Sequence, residues 1–137
     1  VAKTDVCLSA CEYLDELFFD IKLMDSKRHQ EVTGLDNEII LNNIRSIRKA
    51  FPKLDITIRT PVIPNINDSD DAIAAIARFI RNEVPGAKHE LLAYHRFGMP
   101  KYAYLKRKYP LEAKDLKAGD IVRLQKLDAT ILAGQMS

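Results

Sequence analysis

Three short apolar runs, separated by amphipathic stretches and punctuated by proline and glycine, constrain this chain more than any other feature. The runs are Leu17–Lys22, Asp55–Val62 and His89–His95. Between the first two, Ile40, Ile44, Ile47 and Phe51 recur at helical spacing after Asp36. Between the second and third, Ile73, Ile76, Ala77, Ile80 and Val84 do the same. One apolar stripe every three to four residues is the signature of a helix lying on a core. Pro52 ends the first of these helices and Pro85-Gly86 the second. Strands alternating with amphipathic helices imply parallel βα units with right-handed crossovers, so the expected fold class is α/β. In such folds ligands sit at the carboxyl ends of the strands.

The remaining segments are read from local signals. Asp5 is expected to cap a first helix that buries Cys7, Leu8, Cys11 and Leu14 on one stripe. Asp25-Ser26 starts a short helix that ends at Thr33-Gly34, where Gly34 suits a left-handed cap. His29 stands among Lys27, Arg28 and Gln30 and is read as a solvated histidine. Arg45, Arg48 and Lys49 take the outer face and last turns of the next helix, where cations favour the dipole. Asn65 to Ser69 is a turn that ends in an N-cap. A last helix is expected around Gly119 to Leu127, followed by a short apolar end, Ala129 to Ala133.

Composition narrows the function classes. A hydrophobic fraction of 47% supplies a core, and 137 residues make one domain or a piece of a larger one. The opening Val1 is compatible with a segment of a longer chain, or with processing of its start. A net charge of +2 gives no field that argues for nucleic acid, despite the basic, aromatic stretch from Arg96 to Tyr109. No run approaches the roughly 18 apolar residues of a membrane span. Two cysteines and no signal peptide point to a reducing, cytoplasmic setting. Cys7-x-x-x-Cys11 lacks further thiolates nearby and is read as buried structural cysteine rather than a metal site.

The candidate site starts from the first strand. Side chains alternate, so Phe18, Asp20 and Lys22 point to one face and Phe19, Ile21 and Leu23 to the other. Opposite charges on one face mark either a solvated edge or a functional conflict. Arg59 and His95 also fall toward strand ends. In the third strand Leu91, Ala93 and His95 share a face. Asp20, Lys22, Arg59 and His95 together form a rim of both charges, suited to a zwitterionic ligand.

These residues carry a pattern. Phe19-Asp20-Ile21-Lys22-Leu23-Met24-Asp25 is followed by His29, Thr33-Gly34 and Asn37-Glu38. Then come Ile58-Arg59-Thr60-Pro61-Val62-Ile63-Pro64, Asn67-Asp68 and Glu90-Leu91-Leu92-Ala93-Tyr94-His95-Arg96-Phe97-Gly98 with Lys101-Tyr102. In this order and spacing the chain resembles the C-terminal half of glycyl-radical enzyme activating enzymes, of the type that acts on pyruvate formate-lyase. These belong to the radical S-adenosylmethionine (SAM) enzymes. The resemblance implies part of a (β/α)6 partial TIM-type barrel. It implies a SAM cofactor on a [4Fe–4S] cluster, and a 5′-deoxyadenosyl radical that removes a hydrogen from a glycine of the partner enzyme. It implies a flavodoxin or ferredoxin as electron donor to the complete enzyme. Asp20 and Lys22 match the Asp-x-Lys positions that contact SAM, His95 the histidine beside the adenosyl group, and Arg59 an arginine near cofactor and substrate peptide.

Chemically, Lys22 and Arg59 suit the carboxylate or ribose oxygens, Asp20 a hydroxyl or cation, and His95 the purine. The chain departs from the family in lacking the Cys-x3-Cys-x2-Cys cluster loop and the glycine-rich segment that holds the methionine amino group. Asn65 stands where a glycine is usual and Ala93 where a proline is usual. The expectation is therefore a C-terminal portion spanning residues 1–137, inactive alone, with no metal site of its own. Rival readings are another radical SAM enzyme or a non-catalytic nucleotide- or protein-binding module. A half-barrel with an unpaired first strand is also expected to self-associate.

Overall fold

The structure is a computed structural model and describes residues 3–93 and 116–135. Its elements in chain order are α1 (Thr4–Cys11), β1 (Glu16–Asp20), α2 (Ser26–Thr33), α3 (Glu38–Ala50) and β2 (Asp55–Val62), then α4 (Asp70–Glu83), β3 (Lys88–Ala93) and α5 (Ala118–Leu132). The three strands form one parallel sheet in the order β1-β2-β3. This is the α/β arrangement of repeated βα units that the alternating pattern demands.

One face of the sheet is covered by helices. Ile56, Ile58 and Val62 of β2 are fully buried, and Ile21 follows β1 into the same layer. They meet Leu41, Ile44 and Ile47 of α3 and Ile73, Ile76 and Ile80 of α4. Leu124 and Ile131 bring α5 onto α4 and the β3 side. The other face is open: Phe18, Asp20, Glu90 and Leu92 are exposed there. β1 is an edge strand among the described residues, with β2 as its partner.

Local chemistry sets most boundaries. Asp25 caps α2 by accepting from the Arg28 N–H at 2.8 Å, and Gly34 closes it with φ of 83°. Ser69 caps α4 through the Ala72 N–H at 3.1 Å. Asn65 adopts φ of 65°, a left-handed conformation that asparagine tolerates and that suits a position where glycine is usual.

Four expectations are corrected. Asp5 does not cap α1: Lys3 holds that position, and the Asp5 carboxylate accepts from its neighbour Val6. The stripe of α1 stops at Cys11, and Leu14 is exposed. The apolar end from Ala129 is not a separate piece, because α5 runs on through Leu132 with no breaker to stop it. Arg48 does not lie on a solvated face; it is buried and donates from Nη1 to the carbonyls of Phe51, Pro52 and Leu54. Burial holds the Arg48 guanidinium below its ordinary pKa, with Asp55 opposing the shift. Of the two cysteines expected to be buried, Cys11 is and Cys7 is only half-buried; burial followed by the nearby Cys7 pushes the Cys11 thiol up.

Candidate functional site

The strand register builds a row of charge on the open face. Asp20, the last residue of β1, stands opposite Arg59 of β2, and Arg59 stands opposite Glu90 of β3. Arg59 Nε donates to Asp20 Oδ1 at 3.1 Å, with both side chains partly exposed. The guanidinium also lies 5.2 Å from the centre of the Phe18 ring, a cation–π distance. Asp20 and Arg59 thus form a partly exposed ion pair. A ligand carrying both charges can exchange with this pair at little cost, because exposed ion pairs contribute only about 0–1 kcal/mol.

Lys22 lies two residues past the end of β1, on a half-buried turn. It lines an open cavity of about 260 Å³ with Asp20, His29, Thr33, Asn37 and Leu41. What holds this turn is a set of side chains from distant segments. Thr60 Oγ1 donates to the Ile21 carbonyl at 2.7 Å. Asn67 Nδ2 donates to the Lys22 carbonyl at 2.9 Å, and Asn37 Nδ2 to those of Leu23 and Met24 at 2.8 and 2.9 Å. Every carbonyl from 21 to 24 thus accepts from a buried side chain. Asn67 also accepts from the Ile63 N–H at 2.6 Å, so one amide clamps the turns after β1 and β2 together. Arg28 strengthens the clamp by donating to the carbonyls of Asn65 and Ile66.

Of the four expected site residues, the structure brings Asp20 and Arg59 into contact and puts Lys22 at the adjoining cavity. His95 lies outside the described residues. Leu91 is buried on the helix side, the face opposite Asp20. Glu90 takes the charged row, a position its register with Arg59 reveals and its own sequence context does not. His29 is also corrected. It is 5% exposed, and its Nδ1 donates to the Leu35 carbonyl at 2.7 Å, because the short α2–α3 connection folds back over it. Its charged sequence neighbours point outward while its own position on α2 faces in.

The residues present do not fit an iron–sulfur cluster. A cluster needs several accessible thiolates. The chain has two cysteines, and Cys11 is packed in the core. Among the described residues no group of three His, Cys, Asp or Glu side chains could hold a metal ion. Also among them, no helix is long and apolar enough to cross a membrane.

Parallel βα units with opposed charges at strand ends make up an α/β segment, and sequence comparison gives its relatives. The homologues of this chain are the activating enzymes of glycyl-radical enzymes, of the radical SAM class. The chain is 48% identical over 109 residues to a (2S)-3-sulfopropanediol sulfolyase activating enzyme of Bilophila wadsworthia, covering 80% of this chain and 36% of that protein. It is 44% identical over 128 residues to an isethionate sulfite-lyase activating enzyme of Desulfovibrio desulfuricans, covering 93% of this chain and 41% of that protein. The chain thus spans about two fifths or less of these curated relatives. A domain of pyruvate-formate lyase-activating enzyme from Bacteroides vulgatus shares the fold, with TM-score 0.71 and 24% identity over 97% of this chain and 70% of that one. No family model matches the chain.

Proposed function

We propose that this chain is the C-terminal portion of a radical SAM activase that installs a glycyl radical on a partner enzyme. The observation that carries the reading is homology to activating enzymes over 93% of the chain. The partner is a glycyl-radical enzyme. Pyruvate formate-lyase is one such enzyme, and the names of the relatives above add sulfonate-cleaving lyases to the range. A flavodoxin or ferredoxin supplies the electron, and the setting is cytoplasmic.

SAM, when bound, supplies the radical precursor. This chain's part is placement. Arg59 and Lys22 offer cationic donors to carboxylate or ribose oxygens. Asp20 accepts from a hydroxyl or faces a cation, and His95 completes the adenosyl side. The side chains pinning residues 21–24 hold the Lys22 backbone beside Asp20, so little backbone ordering falls on binding. The cluster ligands belong to a portion of the parent protein outside these residues, and the segment alone is inactive.

The test uses the parent protein with a candidate lyase, SAM and a reductant, under anaerobic conditions. A glycyl-radical signal in the electron paramagnetic resonance spectrum of the lyase is the expected result. SAM cleavage without a glycine radical on any candidate lyase would instead favour a different radical SAM reaction. The 137-residue chain should bind SAM poorly in calorimetry; micromolar binding would mean that it holds the whole cofactor site.

A further inference from the structure

A buried polar chain crosses the whole sheet on its helix side. His89 of β3 has a fully buried side chain. Its Nδ1 lies 2.5 Å from Asp128 Oδ1 of α5, and Asp128 is itself buried. On the other side of the ring, Nε2 lies 2.8 Å from Thr60 Oγ1 of β2. Thr60 is fully buried and contacts the Ile21 carbonyl at 2.7 Å.

Counting protons along this chain leaves few choices. A carbonyl only accepts, so the single hydroxyl proton of Thr60 goes to Ile21. Thr60 Oγ1 therefore accepts from Nε2, which must carry a proton. At Nδ1 the partner is a carboxyl oxygen at charge-assisted distance. Among the described residues, the neighbours in this layer are apolar. The helix-side residues of β2 are Ile56, Ile58, Thr60 and Val62, and α4 turns Ile73, Ala77 and Ile80 to this layer. On α5, Asp128 is flanked by Leu124 and Ile131. Arg81 donates to the Ile131 carbonyl of α5, and Arg123 pairs with Asp70.

We propose that His89 is a positioning residue: oriented by Asp128, it donates from Nε2 to Thr60 and, through Thr60, sets the Ile21–Lys22 peptide plane and so the placement of Asp20 and Lys22. The chain then links α5 to the charged rim. Without the Nε2–H donor the Thr60 hydroxyl is free to leave Ile21, and the peptide before Lys22 loses its anchor. The link to cofactor placement rests on the function proposed above; the hydrogen-bond chain and the coupling to Ile21 do not.

The test is nuclear magnetic resonance of the full chain with labelled histidine rings. In the wild type His89 Nε2 should carry its proton and show a coupling across the bond to Thr60. Asp128→Asn and Thr60→Val should each move the Ile21 carbonyl and Lys22 amide resonances, and Thr60→Ser should restore them. An unprotonated Nε2, or Lys22 resonances that ignore both Asp128→Asn and Thr60→Val, overturns the proposal. The wild-type measurement stands even where a variant fails to fold. In the parent enzyme Thr60→Val should weaken SAM binding about tenfold, one decade of affinity. If wild-type parent binds no SAM while the resonances stay coupled, the proposed function fails and the relay survives.

Discussion

Ile58 and Arg59 are neighbours in β2, and the sheet sends them to different surroundings. Ile58 is 0% exposed among the isoleucines of α3 and α4, whereas the Arg59 side chain is 39% exposed on the open face. Alternation alone separates them. The helix-covered face spends its residues on burial, and an isoleucine there is worth its transfer free energy plus the cost of the hole it would leave. The open face carries Asp20, Arg59 and Glu90 in one row, where water screens each charge and chemistry is accessible. Burial and accessible charge are thus allotted to opposite faces of the same strands.

Substitutions can break or sharpen that division. Ile58→Ala should cost the most, roughly 2–5 kcal/mol by chemical denaturation, as for other buried large-to-small changes. A cost below about 1 kcal/mol would mean the covered face is not the core. Asn67→Ala comes next, at about 2–3 kcal/mol, since it strips one acceptor and two donors from a fully buried clamp. Hydrogen exchange at Ile63 should rise with it.

Lys22→Ala in the parent enzyme should leave unfolding unchanged within about 0.5 kcal/mol, as surface changes do. It should weaken SAM binding by roughly 1.5–3 kcal/mol, a loss of one charge-assisted contact. His29→Ala should do the reverse, lowering stability through its lost bond to the Leu35 carbonyl while sparing the cofactor more. Parallel losses of affinity in both would dissolve the distinction between rim and scaffold. Arg59→Ala is also a small change in folding, under about 1 kcal/mol, because the Asp20 pair is solvated.

Local signals carried the sequence reading well. The Asp25 and Ser69 caps and the Gly34 stop each depend on a few adjacent residues, and each appears where the sequence places it. The faces of β1 and β2 follow from alternation. The misses share one cause: side chains fixed by partners far along the chain. Arg48 turns inward because three carbonyls past the helix end face it. His29 is buried by the loop that follows it. His89 and Asp128 are 39 residues apart, and no period links a strand histidine to a helix aspartate. Asn37 and Asn67 stood inside the family pattern, yet their roles as pins need the coordinates of the turn they hold. Glu90 joins the rim only once the β2–β3 register is known.

The pins on residues 21–24 also bear on the order in which the molecule assembles. Their donors come from 14, 39 and 45 residues downstream. Contacts that span long stretches of chain carry a loop-closure entropy that must be met before they form. α2 can close on its own cap early, but the turn bearing Lys22 has no anchor until β2 has docked and the segment to Asn67 has folded back. The rim is therefore among the last parts to take shape and, under mild denaturant, among the first to loosen. A polypeptide emerging from the ribosome would carry Asp20 and Lys22 for some 45 residues before the final pin arrived.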